Sequence, residues 1–460
     1  EFRRVLFRSD PVGALGWIES AEGLGDARAT LRGPAGLGED RAVRGAALAR
    51  VYDTLGFAPL ARRTGAAAAE RDPGNPEAHF FLSDAFLGRQ NLEAAQSSSL
   101  LLGQILSPPN RRLVQPRLAE ADLGLLALSG PSRPTFAEFS PLITGDGLSF
   151  GVSGRLGTQS TFGGESSAAV LAGPVALALG QFHSETDGFL ANNDVEHDIL
   201  SLEARAQLGA TLTFFGELRR RDSEQGDRAI EFGERVEPFL RDALERNSLR
   251  AGLHLEAAPG HDLIAFATLA DLQQGVSDSG VDPDAAVAAD FAAEQEGFDL
   301  QARYLGRLGR MRVTARGSLS RTDQSTRQRL AITPAVFGPC APDAPRLDTI
   351  EGLSEGRIEH ESGYGYVTFE LLDGVEGTLG LAVESFERPG FSATEVNPKV
   401  GLRVAPAEGL SFRAAYARTL KKPLILDQTA EPVTIAGFPQ VFDDGNGAVG
   451  ELVGLGIDAR

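Results

Sequence analysis

Two hydrophobic periods divide the chain. Between about residues 40 and 107 apolar and small residues recur at helical spacing: Leu48, Ala49, Tyr52, Gly56, Ala61, Ala68 and Pro73. From 146 onward the period is two. In LSFGVSGRL one face carries Leu148, Phe150, Val152, Gly154 and Leu156, and the other Ser149, Gly151, Ser153 and Arg155. HDILSLEARAQL sets Leu200, Leu202, Ala204, Ala206 and Leu208 against Ser201, Glu203, Arg205 and Gln207. RMRVTARGSLS and NPKVGLRVAP repeat the pattern, with Val313, Leu402 and Val404 on the apolar face and Arg312 and Arg403 on the other. Alternation of this kind predicts strands with one apolar face.

A soluble sandwich also alternates, so the connections matter. Short turns are predicted at Leu208–Thr211, Pro259–Gly260, Gly306–Gly309, Asp373–Gly377 and Pro406–Gly409. Between them lie long polar stretches, 185–194, 222–246, 272–295, 323–357 and 420–447, read as loops. Apolar segments of about 9–11 residues with a charged, Gly-rich opposite face fit a tilted bilayer crossing with a watery interior. The fold class expected is mainly β: an antiparallel transmembrane β-barrel over 146–460, of about 14 strands and truncated at its C-terminus, preceded by a small all-α segment. Val313, Leu402, Val404 and Phe412 should face lipid, and Arg312, Arg403 and Arg413 the lumen.

The helical segment is itself repetitive. Leu82, Ser83, Phe86, Gln90, Ala95 and Leu102 follow the first set at 34-residue intervals. Asp72–Asn75 (DPGN) ends one unit and caps the next. The segment resembles about two tetratricopeptide repeats, the second degenerate; an ordinary helical hairpin is the plainer alternative. The resemblance implies a surface for a periplasmic protein partner, with Tyr52 and Phe86 as its candidate partner-binding residues. Residues 40–107 are expected to act there as a docking surface and not as part of the pore. A Pro-rich linker, 108–145, is expected to separate the helices from the first strand. Residues 1–9, EFRRVLFRS, look like the translated end of a sequencing adapter, and 10–39 are read as a partial upstream segment.

NPKVGLRVAPAEGLSFRAAYARTLKKP, over 397–423, resembles the late strands of TonB-dependent-receptor barrels. LVQPRLAEADLGLL, LGQFHSETDGFLANNDVEHDI, RRRDSEQGD and EPVTIAGFPQVFDDGNG resemble Gram-negative outer-membrane proteins that join tetratricopeptide repeats to such a barrel. That family implies the outer membrane, lipid as a partner, a periplasmic N-terminal segment and a receptor or transport role. No plug-like α/β domain precedes the barrel, so the resemblance implies location and architecture more firmly than active uptake.

Composition narrows the chemistry. A formal charge of −19 without a concentrated basic face excludes nucleic acid. The one cysteine, Cys340, lies in FGPCAPDAP with no base nearby and reads as incidental. No run of about 18 apolar residues predicts a transmembrane helix. His183, Glu185, Asp187, Asp194, Glu196, His197 and Asp198 form either a solvated loop or a cation site, without calcium-loop spacing. Arg219, Arg220 and Arg221 form either a salt-bridged loop base or a lipopolysaccharide-phosphate contact. Asp443, Asp444, Gly445, Asn446 and Gly447 have turn chemistry. The Gly454 and Gly456 triplet opens no helix and is no nucleotide loop. No catalytic set, cofactor or resident metal is expected, and the chain is read as a non-enzyme. Two further functions compete with a receptor for a small-molecule solute: an exopolysaccharide export porin, with Phe215, Tyr364 and Tyr366 as lumen rings, and a soluble secreted all-β domain.

Overall fold

The computed structural model describes residues 55–86, 93–110, 145–227, 237–282, 285–334, 349–407, 410–421, 434–440 and 447–459, with isolated positions elsewhere. Residues 1–9, most of 10–39 and most of the linker lie outside the described residues. So do Cys340 and Asp443–Asn446.

Among the described residues the helices with complete bounds are α1 (Ala58–Arg71), α2 (Pro76–Phe86) and α3 (Glu93–Ile105). Asn75 starts α2 as anticipated, its Oδ1 accepting from the backbone N–H of Glu77 at 3.0 Å and of Ala78 at 3.3 Å. The alanines close the gap between α1 and α2: Ala66, Ala68 and Ala69 pack on Ala78, Leu82 and Phe86. Phe86 is buried in this packing, and Tyr52 is buried in a neighbouring cluster with Leu48, Val51, Ala61 and Ala85. Large rings at helical spacing fill the space between helices, as both do here.

The strands are β1 (Gly147–Leu156), β2 (Phe162–Ala172), β3 (Val175–Thr186), β4 (Val195–Leu208), β5 (Leu212–Gln225), β6 (Arg241–Ala258), β7 (His261–Asp282), β8 (Ala285–Leu308), β9 (Met311–Pro334), β10 (Ile350–Leu372), β11 (Val375–Arg388), β12 (Phe391–Ala407) and β13 (Leu410–Leu420). A two-residue-strand hairpin follows, β14 (Thr434–Ile435) and β15 (Phe438–Pro439), then β16 (Val449–Ala459). All but β14 and β15 form one antiparallel 14-stranded sheet in sequence order, with β16 beside β13. Among the described residues β1 and β16 are its two edges, and the sheet is not closed.

The apolar face points outward, away from the concave side. Leu148, Phe150, Val152 and Leu156 are 67–82 % exposed. Leaving such side chains in water forgoes roughly 1.5–3 kcal/mol each, and a band of them running along the sheet requires a lipid surround. This excludes the soluble-sandwich reading, which needs that face buried. The register assigned from sequence holds: Leu402 and Phe412 are exposed on the outer face, while Thr314, Arg316 and Lys399 are buried on the inner one.

Every second connection is tight, at one end of the sheet. Gly209 and Gly309, at φ 70° and 63°, supply the left-handed residue such turns need. At the other end the expected loops are shorter than the polar stretches implied. The supposed loop 272–295 is almost entirely strand, since β7 runs to Asp282 and β8 begins at Ala285. β9 and β10 likewise consume much of 323–357. A ribbon standing in water needs no apolar face, so its sequence loses the alternation while the backbone ladder continues.

Candidate functional site

The inner wall is built from alternate residues of each strand, and near the tight-turn end it is charged. Glu217 accepts from Arg250 at 2.5 Å and pairs with Arg219 at 3.0 Å. Glu203 pairs with Arg205 at 2.6 Å, and Arg312 with Glu376. Cross-strand register sets some of these pairs, with Glu217 opposite Arg250. Charges buried in such a wall persist because each has an opposite partner.

The wall is interrupted by an apolar seat of Phe215, Ile264, Phe266 and Leu305. Against it pack Leu101, Leu102, Ile105 and Leu106 of α3 and its C-terminal turn. Gln104 Nε2 donates to Glu217 at 3.3 Å beside the seat. Asp72, after α1, lies 3.6 Å from Arg307, and Arg63 pairs with Asp458 of β16. These contacts reach β5, β7 and β8 in the middle of the sheet and β16 at its edge, and all lie toward the tight-turn end. The helical segment therefore stands on the lumen wall. α3 packs on the inner face of the sheet instead of standing clear of it, and the cause is the apolar seat.

The sequence carried a signal for the seat that alternation concealed. Phe214–Phe215, Leu263–Phe266 and Tyr304–Leu305 are adjacent apolar residues, so both faces of the strand are apolar there. One face meets lipid and the other meets α3.

Two titratable groups of the helices feel this burial. Burial pushes the Glu70 carboxyl up to about 7; Glu376 adds to this, while hydrogen bonds from Thr434 and Gly437 and the charge of Arg403 oppose it. Burial holds the His79 imidazole down at about 4, although its hydrogen bond to the Pro73 carbonyl favours the proton; Arg303 lowers it further.

The other candidates resolve as follows. His183 faces Asp198 across β3 and β4, with Nδ1 3.0 Å from Oδ1. One ligand atom each from His183, Glu196 and Asp198 falls within 4.8 Å of the others. His197, opposite Ser184, is buried and bonds Ser223 at 2.6 Å. The arginine triplet alternates: Arg219 pairs inward with Glu217, and Arg220 pairs with Asp222 and Glu245 at 2.9 and 3.1 Å. That matches the salt-bridged reading. The three lumen rings are not open platforms. Phe215 lies under α3, and Tyr364 and Tyr366 meet edge to face at 5.1 Å beneath Ile435 and Ala436.

Residues 148–450 match the family described as TonB dependent receptor-like, beta-barrel. No curated protein matches the chain. Solved structures similar to it include the unliganded ferric citrate transporter FecA, at 14 % identity over 59 % of this chain and 44 % of that one, TM-score 0.43. The ferric preacinetobactin receptor BauA from Acinetobacter baumannii is 13 % identical over 68 % and 51 %, TM-score 0.45. The copper transporter OprC is 11 % identical over 60 % and 46 %, TM-score 0.47. The chain spans about half the length of these proteins. The matched residues cover most of the strands that carry the outward apolar face, and the chain belongs to the TonB-dependent-receptor-like β-barrel family of outer-membrane proteins.

Proposed function

We propose that the chain is a receptor or transport barrel for a small polar solute, with the tight turns on the periplasmic side. A charged inner wall on a sheet whose outer face is apolar supports this reading, and both signs of charge on that wall suit a polar solute. The observation that carries it is the seat of α3 on Phe215, Ile264, Phe266 and Leu305, which puts a helix of the 40–107 segment against the inner face at the tight-turn end. The helical segment keeps its tetratricopeptide-like period in this reading and offers a periplasmic protein whatever face it does not lay on the wall. The division into helices over 40–107, linker over 108–145 and barrel over 146–460 goes with it. Polysaccharide export draws no support from the lumen rings, which are covered.

Deleting 40–107 tests the reading. Membrane insertion, followed by heat-modifiable gel mobility, should survive, because the barrel's own ladder and lipid face are intact. Liposome swelling with small polar solutes should rise several-fold over the full chain. Unchanged swelling by an inserted deletion variant would show that the helices do not obstruct a path.

A further inference from the structure

We infer that the hairpin β14–β15 is a strap that enters the lumen from the long-loop end and pins the helical segment in place. The inference goes beyond the transport reading, because it assigns a role to a connection between strands rather than to the wall.

The topology is the first observation. The connection 421–448 leaves β13 and rejoins β16 at the end opposite the tight turns, where Leu420 pairs with Val449. Its hairpin nevertheless lies far down the wall. The Ala436 carbonyl accepts from Arg413 Nη1 at 3.0 Å, and the Arg413 guanidinium stands 4.6 Å from the Phe438 ring. Arg413 is only three residues into β13 from its tight-turn end.

The strap then reaches α1. Thr434 Oγ donates to Glu70 Oε1 at 2.9 Å, and the Gly437 N–H points at the same oxygen at 3.4 Å. A second route joins them: Arg413 Nε donates to Asp458 at 2.8 Å, and Asp458 also pairs with Arg63 of α1. The helix is thus held through Glu70 to the strap directly, and through Arg63 to the arginine that holds the strap.

The wall is shaped to receive the hairpin. A Cβ at Gly401 would stand 2.9 Å from Ile435 Cγ2, and one at Gly454 would stand 2.7 Å from Phe438 Cδ1. Glycine at both leaves the space the two side chains use. Tyr366 donates from its hydroxyl to Gln440 at 3.3 Å, fastening the strap's far side. The tip is a two-residue turn with Ala436 and Gly437 at φ 47° and 78°, the left-handed pair that closes a tight hairpin. Phe438 and Ile435 are therefore presented in a fixed register.

The test uses the full chain in outer-membrane vesicles. On a Cys340→Ser background, Glu70→Cys with Thr434→Cys should cross-link on mild oxidation or with a short bismaleimide, in the folded, heat-modifiable fraction. Folded protein that cross-links by neither route overturns the placement, whether or not the barrel transports anything. In planar bilayers the cross-linked and unmodified proteins should be silent, while Gly454→Leu, which evicts Phe438, should give channel events. Should Gly454→Leu not insert, Glu70→Ala with Thr434→Val removes the polar pin without added bulk and carries the same expectation. Inserted, unpinned variants as silent as the unmodified chain would overturn the strap, and so would an unmodified chain that conducts as they do.

Discussion

At the scale of single residues, the two faces of β12 make opposite demands. Leu402 is exposed to the lipid side, and its neighbours along that face are Val400 and Val404. A charge on the lipid face costs about 2–4 kcal/mol near midplane and less toward the interface. Leu402→Arg should therefore lower the yield of folded barrel well below that of Arg403→Ala, whose side chain faces the lumen. Equal yields of the heat-modifiable species would refute the register. Glu70 makes a pH prediction. Its carboxyl is raised from 4.5 to about 7 in the folded chain, so its contribution to seating α1 is full below pH 4.5 and is lost as pH rises through 7. Protease cleavage within the helices should increase from pH 5 to 8, and Glu70→Gln should flatten that rise. His79, lowered from 6.5 to about 4, contributes in the other direction, its stabilisation being lost as pH falls through 4. The difference between the two profiles isolates Glu70 because His79 is common to both. Coincident profiles would remove Glu70 from the seat.

At the scale of elements, strand length separates membrane from water. β7, β8, β9 and β10 run for 22, 24, 24 and 23 residues. A tilted crossing uses about 9–11, so roughly half of each stands beyond the bilayer at the long-loop end. Replacing 275–292 with a tight Asn-Gly turn removes only that ribbon. Insertion yield should be unchanged, since the lipid-facing Leu269 and Leu300 remain. A loss of insertion would mean that the ribbon is needed for assembly. The sequence was legible for these strands only where lipid forces alternation. Beyond that level both faces are wet, the pattern relaxes, and polar strand reads as loop.

At the scale of the whole molecule, the helices and the sheet are one packed unit. α3 lies on β5, β7 and β8 through the apolar seat, and α1 reaches the edge strand β16 and the strap. Much of the candidate site was hidden because its parts are far apart in sequence: Glu70 and Thr434 are separated by 364 residues, and Arg63 and Asp458 by 395. No local spacing links such pairs. The helical period was plain, and so was the cap at Asn75. Which surface those helices would meet was not, because an amphipathic helix specifies only that its apolar side be buried, not against what.

The sequence by itself determined the two periods, the tight turns and the face that meets lipid. Each follows from interactions between near neighbours or from the solvent a face must meet. Tertiary structure decided the rest: that α3 packs on the inner face of the sheet, that Tyr52 and Phe86 are core, that polar stretches continue as strand, and that the hairpin β14–β15 touches α1. These depend on long-range packing. An apolar residue on a lumen face, or a glycine in a strand, has no stated partner until the chain has closed around it.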